Sequence, residues 1–80
     1  MEQKIDWEAE AKAILKAELA RGALSRKVLV ARLEKLGVKD SESAISNRIS
    51  RGKFTFAFFL QCMRALGVEE VRVGQRKVRG

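Results

Sequence analysis

The 80-residue chain has no histidine, no proline and no tyrosine, and only one cysteine, Cys62. Without histidine, and with a single thiol, neither a nucleophile–base pair nor a zinc site has its usual parts. One cysteine excludes an internal disulfide and fits a reducing compartment. The lack of proline favours uninterrupted helices. Long hydrophobic runs are missing too: the longest, residues 56–60, is far short of the roughly 20 residues that span a bilayer. The opening Met-Glu-Gln-Lys-Ile-Asp is not the basic start and apolar stretch of a signal peptide. The six glycines stand at expected helix ends or in the tail and form no phosphate-cradling loop. Acidic residues are scattered, apart from Glu8/Glu10 and Glu69/Glu70. These absences argue against an enzyme, a metal site, a cofactor, a small-molecule substrate or a membrane protein. They predict a cytoplasmic, nucleoid-associated protein.

What is present is a small, strongly basic chain. Hydrophobic residues make up 46% of it, enough for one compact core, and the net charge is +7. That charge is unevenly placed. Residues 1–24 hold four basic and five acidic side chains, residues 25–67 nine and three, and residues 68–80 four and two. The excess therefore falls on the middle of the chain and on its tail. A basic face on a small domain is the usual electrostatic mark of nucleic-acid binding.

Periodicity and end signals predict four helices and an all-α fold. The first covers residues 7–21, capped by Asp6, with Trp7, Ala11, Ile14, Leu15 and Leu19 on one face and Gly22 as its stop. The second covers 26–36, capped by Ser25, with Val28, Leu29, Leu33 and Leu36 inward and Gly37 after it. The third starts near Asp40 or Ser41 and ends at Gly52, and the fourth runs from about Thr55 to Leu66, stopped by Gly67. Val71-Arg72-Val73 alternates weakly, like a short strand. Residues 1–73 are expected to form a single domain, with 74–80 as a flexible basic tail.

The third helix carries the most specific signal. Read as a helix, residues 41–53 bury Ala44, Ile45 and Ile49 and turn Ser43, Ser46, Asn47 and Ser50 outward, with Arg51 at the margin. A merely solvated helix is better served by Glu and Lys. Short polar side chains edged by arginine suit a helix lying close against a polar surface such as the DNA major groove. The plainer alternative is a serine-rich soluble helix whose last turn carries cations that favour its dipole.

The second and third helices, joined through Gly37-Val38-Lys39-Asp40, make a two-helix unit of helix-turn-helix kind. Ala31-Arg32-Leu33-Glu34-Lys35-Leu36-Gly37-Val38, Ile49-Ser50-Arg51-Gly52-Lys53 and Ala65-Leu66-Gly67-Val68 resemble the XRE, or lambda-repressor-like, family over residues 14–68. The chain is similar, and more closely so, to a set of short bacterial domains with no assigned function, through the stretch from Ile49 to Val68. The first resemblance implies a sequence-specific, dimeric regulator of bacterial or phage transcription that binds double-stranded DNA through its third helix. Gly37 and Gly52 are 15 residues apart, about one turn more than the XRE pattern. The 52–67 interval is slightly short and lacks the usual proline. Base-contacting positions are therefore assigned from the helix face: Ser43, Ser46, Asn47, Ser50 and Arg51. Asn47 is the prime candidate, because its amide can pair bidentately with adenine. Phosphate contacts are expected from Arg26, Lys27, Arg48, Lys53, Thr55, Arg76 and Lys77, some of them at helix starts.

The fourth helix has more apolar surface than one stripe needs. Phe56, Phe59, Leu60, Met63 and Leu66 are assigned to the core. Phe58, Cys62 and Ala65 form an adjacent face, expected to be a homodimer interface unless Trp7 or the 71–73 segment folds over it. The competing function is a protein-interaction module docking a partner through this helix. Single-stranded RNA binding requires an exposed aromatic ring, for which Phe54 and Trp7 are the candidates.

Overall fold

A computed structural model describes residues 5–73; the expected tail, 74–80, with Arg76 and Lys77, lies outside the described residues. The chain is all-helical: α1 spans Trp7–Gly22, α2 Arg26–Lys35, α3 Glu42–Arg51 and α4 Phe56–Leu66. Each helix begins on a side-chain cap that accepts an otherwise orphaned backbone N–H. Asp6 accepts from Ala9, Ser25 from Val28, Ser41 from Ala44 and Thr55 from Phe58, at 3.0–3.2 Å. Such caps are worth about 1 kcal/mol each. Gly52 and Gly67 close α3 and α4 in the left-handed conformation.

The end of α1 differs from expectation. Gly22 stays in the helix and Ala23 takes the left-handed cap, at φ 55°. The reason is packing: a side-chain carbon on Gly22 would lie 3.2 Å from Leu66 Cδ2. Gly22 lets the ends of α1 and α4 approach each other.

Helices α1 and α2 each pack against both α3 and α4. The core between them holds Leu15 and Leu19 of α1, Leu29 and Leu33 of α2, Ile45 and Ile49 of α3, and Phe58, Cys62, Met63 and Ala65 of α4. Arg32 on α2 donates to the Ala65 carbonyl at 3.0 Å, tying α2 to the last turn of α4. Glu18 is buried on α1 and salt-bridged to Arg21 at 2.8 Å.

Three expectations about the core are corrected. Phe58, Cys62 and Ala65 are buried within the chain, so they offer no face to a second molecule. Phe56 and Leu60, assigned to the core, are exposed instead. The helix is rotated because Phe58 lies under the Arg48 guanidinium, 4.7 Å from its ring centroid, while Ala65 is held by Arg32. Trp7, Val28 and Leu36 are also exposed, since each lies near an end of its helix, where the apolar stripe overruns the core. After Gly67, Val68 and Val71 pack against the core. Among the described residues there is no strand, and Val71-Arg72-Val73 has none to pair with. No helix among the described residues is long and apolar enough to cross a membrane.

Candidate nucleic-acid interface

Helix α3 is anchored by Ile45 and Ile49, both fully buried. At 100° per residue this fixes its opposite side, and Asn47 falls at the centre of the exposed face. Ser43, Asn47, Ser50 and Arg51 are exposed, and Ser46 is half-buried at the edge. Four of the five positions expected to meet bases thus share one open surface.

Beside that surface lies a shallow polar depression of about 310 Å³, lined by Ala44, Asn47, Arg48, Arg51 and Lys53. Small Ala44 forms part of its wall, and three cations surround the Asn47 amide. Arg48 is the most constrained of them. Its guanidinium donates to the Asp40 carboxylate at 2.7 Å and rests over the Phe58 ring. Its charge is therefore partly neutralised, while Arg51 and Lys53 are exposed. The Asp40 and Phe58 contacts were not legible in the sequence, because both arise where the chain enters α3 and crosses α4.

Helix origins divide into two kinds. The first turn of α1 carries Glu8 and Glu10, and that of α3 carries Glu42, which suit the positive pole of a helix. The first turns of α2 and α4 have no acidic residue. Helix α2 begins instead with Arg26, half-buried, and Lys27, exposed. The Nε of Arg26 is buried with no hydrogen-bond partner among the described residues. At α4, the Thr55 hydroxyl is engaged as the cap, and Lys53 stands just ahead of it. Both origins are arranged to attract an anion.

Arg26 and Arg48 act together on Cys62. Burial pushes this thiol up to about 11, and the positive charges of Arg48 and Arg26 pull the other way. Cys62 is a neutral core residue. Of the candidate aromatic platforms, Trp7 is 70% exposed and Phe54 is half-buried against Phe58 and Phe59.

The model of one family, described as a domain of unknown function (DUF6471), matches residues 7–71. The chain belongs to that family. The match in this DUF6471 domain takes in all four helices and the turn into the 68–73 segment. No curated protein matches the chain, and no solved structure does.

Proposed function

We propose that this DUF6471 domain is a sequence-specific DNA-binding regulator of helix-turn-helix type, with α3 entering the major groove. The observation that carries the reading is Asn47. It stands at the centre of the outer face of α3, between Ser43 and Ser50, and opens onto the depression that holds Arg48, Arg51 and Lys53. An amide can read adenine bidentately, Arg51 can reach guanine or a phosphate, and the serines permit close approach. The carboxylate-free origins of α2 and α4 are suited to grip the phosphate backbone on either side. The XRE-like segments of α2, α3 and the end of α4 support the same reading.

Duplex rather than single-stranded nucleic acid is favoured by charge placement. The exposed ring of Trp7 is followed by Glu8 and Glu10, which would repel the phosphates of a strand stacked on it. The test is selection from a random duplex library at increasing salt. A recovered motif whose binding is lost on Asn47→Ala supports the reading. Weak binding without a motif, abolished by about 200 mM salt, would reduce it to nonspecific attraction.

A further inference from the structure

Away from α3 lies an apolar groove of about 520 Å³, between α1, α4 and the segment after Gly67. Phe56, Phe59 and Leu60 form its α4 side and Ile14 part of its α1 side, and Thr55 and Glu69 are the polar residues on its lining. Phe56 is 72% exposed and Leu60 51%, and the Phe56 ring stacks on Phe59 at 6.1 Å. Trp7 stands one turn before Ala11 on the same side of α1 and is exposed as well. Water-facing rings this close together form a patch that a small folded domain ordinarily covers.

We propose that the patch is covered by a second copy of this chain, with the two α4 helices antiparallel across Leu60. The residues that flank Leu60 on α4 decide both the occupant and the direction. Arg64 and Phe56, both exposed, are each four residues from Leu60, about 6 Å on either side. An antiparallel pair therefore sets Arg64 of one copy over the open Phe56 ring of the other, a cation–π arrangement. A parallel pair would oppose Arg64 to Arg64. The surface carries its own complement, as an isologous two-fold contact requires.

The pairing stands on this surface and holds whether or not the chain binds DNA. Neither α3 nor the first turn of α2 contributes to the groove, whereas Thr55 at the origin of α4 does, so in the pair α3 and the start of α2 remain open and the start of α4 is partly covered.

Sedimentation velocity of the full chain tests the proposal. The natural protein is expected to be a dimer, and Leu60→Glu is expected to raise the dimer dissociation constant about 30-fold or more while the helical circular dichroism is retained. Arg64→Ala should weaken the dimer by removing the cation set over the Phe56 ring. Leu60→Cys should oxidise to a cross-linked dimer, since the axis brings the two positions together; this covers the case in which the glutamate variant does not fold. A monomer at every concentration, including one that pairs only with a different protein, overturns the proposal. So does a dimer that survives Leu60→Glu, or a Leu60→Cys chain that does not cross-link.

Discussion

The carbonyl oxygen of Glu8 lies 2.6 Å from the point where a side-chain carbon on Gly52 would sit. The first turn of α1 thus rests directly on the C-terminal cap of α3, with the Lys12 stem at 3.2 Å on the same spot. Gly52 is buried and has a φ of +70°, so it meets both a steric and a backbone constraint. Gly37 has a φ of +94° but open space around it.

The two glycines should therefore respond differently to alanine. Gly37→Ala is expected to lose about 1 kcal/mol, from the left-handed backbone alone. Gly52→Ala must also push α1 away from α3, and is expected to lose more than about 3 kcal/mol. Urea unfolding of the two variants measures the gap. Equal losses would mean that the contact with Glu8 relaxes freely.

Asn47→Ala and Arg51→Ala remove side chains that point into solvent. Stability should stay within about 0.5 kcal/mol of the natural protein, while discrimination at the affected base pair should fall by about 1–3 kcal/mol. Competition binding with matched and mismatched duplexes reads the second quantity, and a thermal melt reads the first.

Asp40 holds Arg48 at 2.7 Å beside the depression. Both side chains are about a third exposed, so the pair contributes under about 1 kcal/mol to the fold. Asp40→Asn should free the guanidinium. The expected result is a nearly unchanged melting temperature and a salt dependence of DNA binding steeper by about one phosphate contact. An unchanged slope would show that Arg48 serves α3 and Phe58 only.

Burial raises the Cys62 thiol from 9.0 to about 11. A group whose folded-state value is raised contributes stability in full below its unfolded value and loses it as pH rises through the folded one. The loss should therefore fall between pH 9 and about 11 and amount to about 2–3 kcal/mol. Urea midpoints across that window should drop more for the natural chain than for Cys62→Ala. At pH 8 a thiol-specific disulfide reagent should react slowly with the folded protein and rapidly in denaturant.

Helix number, order and starts were legible in the sequence because each rests on local chemistry. Asp6, Ser25, Ser41 and Thr55 all cap the helices they precede. The inward face of α3 was legible for the same reason, since Ile45 and Ile49 are its strongest apolar pair. The inward face of α4 was not. Between Phe56 and Leu66 only Gln61 and Arg64 are polar, so periodicity leaves two adjacent faces nearly equivalent. What separates them is tertiary: Arg48 over Phe58, and Arg32 on the Ala65 carbonyl. Both partners lie on other helices, more than nine residues away in the chain. The polar depression beside α3 was only half legible, because Asn47, Arg51 and Lys53 were named but the Asp40 tether on Arg48 was not.

The start of α2 has a consequence for the solitary chain. Two cations at the positive pole of a helix, with no acidic residue in its first turn to offset them, cost the free domain stability. Replacing one of them, as in Lys27→Glu, should raise the melting temperature of the free protein by the equivalent of about 0.3–1 kcal/mol. Sulfate should do the same where chloride at equal ionic strength does not. In a cell, such a chain would outlast its unoccupied siblings only while something anionic lay against that turn, so its lifetime would itself report occupancy.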